Sequence, residues 1–327
     1  MIYSDHAINI LAAKTYKGIG RGWIVRNMAR QVSINDIVEM LARDSKSGYQ
    51  ISKSDFIAQK EKILHEILAY KTTIDGIVAI GDQGFPTHRG IVKNSECPVV
   101  LFYRGDLSLL SKRNKNIAVI GLLTPDTEIE NIEKEVVNEF VARGANIVSG
   151  LALGCDSIAH RQALISNGKT IAILPGPLHD IIPAKNRELA EEIISRNGLL
   201  LTEYYKSAGS RIELGGRYQE RDRLQALFSD VVVLAASYAK NDQGLDSGSR
   251  LAMEYASSYS IMRAVIYDPN LNKYNPKYDL NRQIISDNSC QVTVINRGNS
   301  ADSIAAIFSV ATEDQGQPYQ TNLFDMV

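Results

Sequence analysis

Ile147-Val148-Ser149-Gly150-Leu151-Ala152-Leu153-Gly154-Cys155-Asp156-Ser157-Ile158-Ala159-His160 decides the fold. The stretch opens as a buried strand, turns between two glycines and continues at helical spacing, with Asp156 or Ser157 as the expected N-cap. Strand, glycine turn and helix start in that order make an expected anion site. Free amides of the first helical turn and the positive end of the helix dipole face a ligand that glycine lets approach. The same turn also serves α/β proteins that only pack a helix on a sheet, and the stretch alone leaves both readings standing.

Working outward, apolar runs and helical spacings alternate. Ile117-Ala118-Val119-Ile120 reads as a strand, Thr127 to Arg143 as a helix, and Thr170 to Leu174 as a strand. Arg187 to Arg196 is a helix, Leu199 to Thr202 a strand, and Arg217 to Phe228 a helix. Val231 to Leu234 is a strand, Ser249 to Ser258 a helix, and Ala264 to Tyr267 a strand. Crossovers of this length predict an α/β fold with a doubly wound, mostly parallel sheet over residues 116–270, whose ligands sit at the carboxyl ends of the strands. Residues 73–115 form a lead-in with strands at Ile77 to Ile80 and Pro98 to Tyr103. Residues 271–311 form a C-terminal extension with a strand at Val292 to Ile295 and a short helix near Ile304 to Val310. Residues 312–327 are expected to be a mobile tail.

Residues 1–72 read as a small helical domain. Lys17-Gly18-Ile19-Gly20-Arg21 joins two short helical patterns, as in a helix-hairpin-helix whose amides hold a nucleic-acid phosphate. Lys14, Lys17, Arg21, Arg26 and Arg30 place positive charge around Gly18 and Gly20. A plain helical turn, with glycines that end one helix and start the next, explains the same residues.

Composition bounds the partners. Hydrophobic residues make up 44% and charged residues 22%, and the net charge is -1, so nucleic-acid contact requires a local basic patch rather than a global field. Cys97, Cys155 and Cys290 are odd in number and widely spaced, which argues against a disulfide framework or a zinc site and fits a reducing cytoplasm. With no signal pattern and no membrane-length apolar run, a cytoplasmic protein is expected.

The order of these motifs resembles the DNA-processing protein A family (DprA/Smf), within a wider group of Rossmann-like domains that includes nucleotide phosphoribohydrolases. Phe85-Pro86, Pro98 to Gly105, Ser149-Gly150-Leu151-Ala152, Gly154, Asp156 and Ala159-His160 carry the likeness. Pro183 and Asn186 match a Tyr-Pro-x-x-Asn element in which Ile182 replaces tyrosine. Gly198 to Glu203 matches Gly-x-x-x-Ser-Glu, Arg221-Asp222-Arg223 stands for Arg-Asn-Arg, and Ser247-Gly248-Ser249 matches a Ser-Gly-Ser turn. The resemblance implies single-stranded DNA binding, a homodimer, and delivery of the recombinase RecA to DNA, in recombination, uptake (transformation) or protection. It also implies an arginine after the first strand of the sheet, where this chain has Gly121-Leu122-Leu123. The DNA or phosphate contacts are therefore expected at Lys185, Asn186, Arg187, Lys206, Arg217, Arg221, Arg223 and Arg250, beside the two glycine turns. Arg221 and Arg223 read equally as a solvated face or as ion-pair partners of Glu203.

No catalytic residue, cofactor or metal is expected. The related hydrolases need a glutamate where this chain has Ala252, and Glu254, two residues on, is rotated away around the helix. His160 reads as a packing histidine, Asp156 as a cap and Cys155 as a small buried hydrophobe. A nucleotide-sensing or partner-regulating module of an antiphage or toxin-antitoxin system is the alternative, and a nucleotide phosphoribohydrolase the next. In the tail, Gln320-Thr321-Asn322-Leu323-Phe324 resembles the bacterial sliding-clamp-binding peptide, in which Gln320 anchors and Leu323 and Phe324 fill an apolar cleft; a tail returning to the core reads the same residues otherwise.

Overall fold

The apolar runs become strands, all but the last of them buried on both faces. Strand β4 (Asn116–Ile120), β5 (Asn146–Ser149), β6 (Thr170–Ile173), β7 (Leu199–Thr202), β8 (Val231–Leu234), β9 (Met262–Ile266) and β10 (Val292–Ile295) run parallel. Their side chains alternate between two helical layers, which is why they read as continuous apolar runs rather than alternating ones. This computed structural model describes residues 1–48, 50–240, 248–287 and 292–313.

Between the strands lie α5 (Thr127–Ala142), α6 (Cys155–Ile165), α7 (Arg187–Ser195), α8 (Arg211–Leu227) and α9 (Ser249–Ser258). Helix α5 buries Ile129, Val136, Val137 and Phe140 against the sheet, the i, i+7, i+8, i+11 stripe of an amphipathic helix. The chain enters at β4, steps outward through β5, β6 and β7, then crosses back to place β8, β9 and β10 on the other side of β4. Strand order therefore reverses between β4 and β8, which opens a crevice at the carboxyl ends of those two strands.

The sheet continues beyond β7. Strand β3 (Val100–Gly105) pairs antiparallel with β7, β2 (Gly76–Ala79) pairs antiparallel with β3, and the two-residue β1 (Ile2–Tyr3) adds parallel to β2. The ten described strands form one sheet. Helices α1 (Asp5–Ala13), α2 (Arg21–Met28), α3 (Ile34–Asp44) and α4 (Lys53–Leu68) cover its face near β3 and β7. Ile8, Ile24, Ile37 and Phe56 share one apolar cluster with Val100, Phe102, Ala172 and Leu200. Ser52 and Asp55 form a reciprocal capping box at the start of α4.

Several boundaries differ from the sequence reading. Helix α8 starts at Arg211 rather than Arg217, because Ser210 caps it through the amide of Glu213. Helix α6 is capped by Gly154, at φ +70°, and not by Asp156 or Ser157. A helix α10 (Asp279–Ser286) forms in the polar region after β9, and α11 (Ser300–Glu313) is longer than the apolar spacing near Ile304 suggests. No described helix is long and apolar enough to cross a membrane.

Candidate functional site

A cleft of about 390 Å³ occupies the crevice where strand order reverses. Gly121 and Leu123 border it from the end of β4, Ala152, Leu153 and Asp156 from the glycine turn, and Gly248, Ser249 and Ala252 from the start of α9. Tyr218, Arg221, Asp222 and Gln225 of α8 close it from beneath. Ser249 Oγ donates to the carbonyl of Gly121 at 3.1 Å, tying the two sides of the crevice together. Ser247, the other serine of that turn, lies outside the described residues, as do Gln320, Leu323 and Phe324.

The glycine turn is filled by the protein's own atoms. Asp156 accepts hydrogen bonds from the amides of Gly150 and Ala152, each at 3.2 Å, where the sequence reading places an anion. Arg221 Nη1 donates to the carbonyl of Gly150 at 3.1 Å, and a Cβ at position 150 would collide with that guanidinium and with the Gln225 amide. Gly154 lies against the backbone of Leu122 and Leu123, so its positive φ and its missing side chain are both required by the neighbouring turn. Asn186 Nδ2 donates to the carbonyls of Leu151 and Ala152 at 2.9 and 3.0 Å, and Ser149 Oγ to that of Val119 at 2.7 Å. The expected amide cradle is thus corrected: a carboxylate of this chain already sits on two of its donors, and a phosphate there would have to displace it. Of the residues expected to hold the phosphate here, Asp156 lines the cleft, while Ser149, Gly150, Gly154 and Asn186 stand behind the lining and hold the turn in shape.

Electrostatics follow from burial. Arg221 Nε and Nη2 reach Asp222 Oδ1 at 3.1 and 2.7 Å, and Nη1 lies 3.7 Å from Asp156 Oδ2. Burial pushes the Asp222 carboxyl up to about 6 against the pull of Arg221, and raises Asp156 by the same cause. Two carboxylates and one guanidinium leave the floor of the cleft without surplus positive charge. His160 is buried: Thr170 Oγ1 gives its proton to the carbonyl of Ile147 at 2.8 Å, so His160 Nδ1 donates to Thr170 at 2.6 Å. Burial pushes its pKa down to about 3, which keeps it neutral. The Cys155 thiol is likewise pushed far up by burial and by the buried Glu133 beside it, and is no nucleophile at neutral pH.

The basic residues divide sharply. Arg223 is 1% exposed and commits its nitrogens to Glu203 Oε2 at 2.5 Å, to Glu220 Oε2 at 3.1 Å and to the carbonyl of Glu96. Arg21 of the hairpin points into the same network, 2.9 Å from Glu203 and 2.8 Å from Glu220. Lys14 joins it, its pKa lowered by burial despite Glu203. Gly18 takes φ +87° and Gly20 caps α2, while Lys17, Arg26 and Arg30 are exposed. Arg217 donates to Glu213 and to the carbonyl of Lys206, both at 2.6 Å, and lies over Tyr204; Lys206 pairs with Glu66 at 2.7 Å, and Arg250 with Glu254 at 2.7 Å. Lys185 and Arg187, on either side of Asn186, are exposed, and neither side chain makes an ion pair or hydrogen bond among the described residues.

Comparison with known proteins places this architecture. Residues 76–296, more than half the chain, match the model of the family "DNA recombination-mediator protein A". The chain belongs to that family. It is 33% identical over 175 residues to Protein Smf of Synechocystis, covering 53% of this chain and 41% of that one. It is 35% identical over 107 residues to DNA processing protein DprA of Bacillus subtilis, covering 33% and 35%. The matched stretches span well under two thirds of those relatives. The solved structure of DNA processing protein A from Streptococcus pneumoniae superposes with a TM-score of 0.68 at 22% identity, covering 92% of this chain and 97% of that one. DNA processing protein A from Helicobacter pylori, described in its single-stranded DNA binding mode, superposes with a TM-score of 0.53 at 26% identity, covering 70% and 99%.

Within this DprA family frame, the turn after β4 stands out. Leu123 is 59% exposed at the mouth of the cleft where the resemblance implies an arginine. Asp126 caps α5 through the amide of Ile129 at 3.0 Å and holds Lys277 at 2.9 Å, so the amino end of that helix is already answered. Sequence reasoning missed Tyr218 and Gln225 and treated Asp222 only as a motif letter. Their spacing with Arg221, i, i+3, i+4 and i+7 along α8, is the signal that places all four on one helical face.

Proposed function

We propose that this chain binds single-stranded DNA across the cleft and acts in DNA recombination, uptake or protection, as a binding protein rather than an enzyme. The observation that carries the reading is the pairing of an apolar, tyrosine-floored cleft with two unpaired cations, Lys185 and Arg187, at the segment bordering it. Tyr218, Leu123 and Leu153 offer a surface on which a base stacks, and such stacking contributes about 1–3 kcal/mol per base. The flanking cations suit the phosphates that follow. The Helicobacter relative, described as binding single-stranded DNA, supports the same ligand. Ribosyl hydrolysis finds little support on α9, since Ala252 faces the cleft while Glu254 is exposed and paired with Arg250.

Fluorescence anisotropy with a labelled single strand across a salt series tests the reading. Binding that weakens with salt, and that Tyr218→Ala reduces without lowering the melting temperature, is expected. No binding even at low salt overturns it, and a melting temperature raised by a mononucleotide but not by DNA favours the nucleotide-sensing alternative. The family relationship extends the proposal to a homodimer that delivers RecA. Light scattering checks the dimer, and assembly of RecA on coated single strands checks the delivery. Binding of a peptide of residues 316–327 to a sliding clamp, and its loss on Leu323→Ala with Phe324→Ala, checks the tail.

A further inference from the structure

Five arginines of the described residues are buried: Arg89, Arg217, Arg221, Arg223 and Arg263. The first four are matched by carboxylates, Asp230, Glu213, Asp222 and Glu203 respectively. Arg263, near the start of β9 and 6% exposed, is not. Its side chain makes no hydrogen bond or ion pair among the described residues, and its Nη2 is buried without a partner. A buried guanidinium with one nitrogen shut off from water and left without an acceptor is costly, so a fold that keeps one in place has a reason to do so.

The guanidinium borders a cavity of about 300 Å³ between α9, β9 and α10, with Met253, Leu280 and Ile284 as apolar walls. This cavity shares no lining residue with the cleft at the β4–β8 reversal. Glu254, which also borders it, is engaged by Arg250, and Asp287, the cap at the carboxyl end of α10, does not reach Arg263 at ion-pair distance. The carbonyl end of α10 favours a cation nearby, but a dipole supplies no hydrogen-bond acceptor to Nη2. The volume is at the lower end of small-molecule sites and about ten times the share of a single water, so the cavity has room for an organic body as well as its charged head.

We propose that Arg263 is the anion-holding residue of a second ligand site, which takes a compact organic oxyanion. The carboxylate or phosphate head meets the guanidinium and the apolar body lies against Met253, Leu280 and Ile284. This site is separate from the DNA cleft and does not depend on the function assigned to it.

Thermal melts of the full chain with benzoate, phenyl phosphate and benzyl alcohol, at matched ionic strength, test the proposal. These probes share one ring and differ in the head. An upward shift of about 2 °C or more at saturating benzoate or phenyl phosphate, and none with benzyl alcohol, is expected. The larger of the two shifts identifies the head as carboxylate or phosphate. The shift should vanish in Arg263→Met. It should also vanish in Gln283→Trp, which blocks the rim from an exposed position and leaves the guanidinium intact, so a poorly folding Arg263→Met does not spare the idea. Equal shifts with all three probes, no shift with either anion, or a shift that survives in either variant overturns it.

Discussion

Arg221 and Arg223 lie two residues apart on α8 and belong to different regions of the molecule. Arg221 faces the cleft, where it braces the glycine turn between Asp156 and Asp222. Arg223 faces the other way, into a buried network with Glu203, Glu220 and Arg21 that fastens α2 to the end of β7. A helical step of about 200° separates them, which is enough to put one motif to two uses. The comparison teaches that basic residues in a nucleic-acid-binding family cannot be counted as a binding surface before their partners are known. Here the deeply buried ones hold the protein together, and the unpaired ones at the segment beside the cleft, Lys185 and Arg187, are modest in the sequence.

Four measurements break or sharpen that contrast. Arg223→Met leaves Glu203 buried with fewer partners, and removing one member of a buried pair costs about 3–5 kcal/mol; urea unfolding should show a loss of that size. A loss below about 1 kcal/mol would mean that the network is not what fastens α2 to the sheet. Gly150→Ala forces a methyl group into the Arg221 guanidinium, so a smaller destabilisation of about 1–3 kcal/mol is expected in the same assay, with weakened DNA binding as the turn shifts.

The third measurement uses pH. The Asp222 carboxyl titrates at about 6 in the fold against 3.8 for the free side chain, so the fold holds that proton more tightly than the unfolded chain does. The stabilisation this provides is complete below about pH 4 and is lost as pH rises through about 6. Asp222→Asn should therefore flatten the fall in melting temperature across that window, and should tighten DNA binding at neutral pH by removing one negative charge from the cleft. An unchanged pH profile would place the proton elsewhere. The smallest effect on stability belongs to Lys185→Ala combined with Arg187→Ala, within about 0.5 kcal/mol. Its signature is in binding, where the salt slope should fall by about 0.7 for each lost phosphate contact.

Much of the sheet was legible before the structure. The bounds of β7 and β8 coincide with the apolar runs read from the chain, because a strand buried on both faces leaves an uninterrupted apolar signal, and those of α9 coincide with its helical spacing. Helix α8 was read six residues short, since Gly215 and Gly216 interrupt its pattern and its first turn buries no side chain. Helix α10 was missed because Leu280, Ile284 and Ile285 are its only apolar residues, set among Asn, Asp, Arg and Gln. The site was legible as a place and not as a mechanism. The glycine turn does border the cleft, but neither the spacing nor the glycines could show that Asp156 occupies its amides. The reading of Arg223 as a partner of Glu203 stood beside the alternatives until side-chain distances separated them.

Strand β3 carries a practical consequence. It is the only described strand with antiparallel neighbours on both sides, and it covers the edge of β7, whose residues Leu199 to Thr202 are all buried. A shortened chain beginning at β4, where the repeating strand–helix units start, would bare that apolar edge to other copies of itself. Anyone trimming this protein for expression should keep β3 together with α1–α4, which cover its apolar face, or the product will be lost to aggregation before its ligand can be tested.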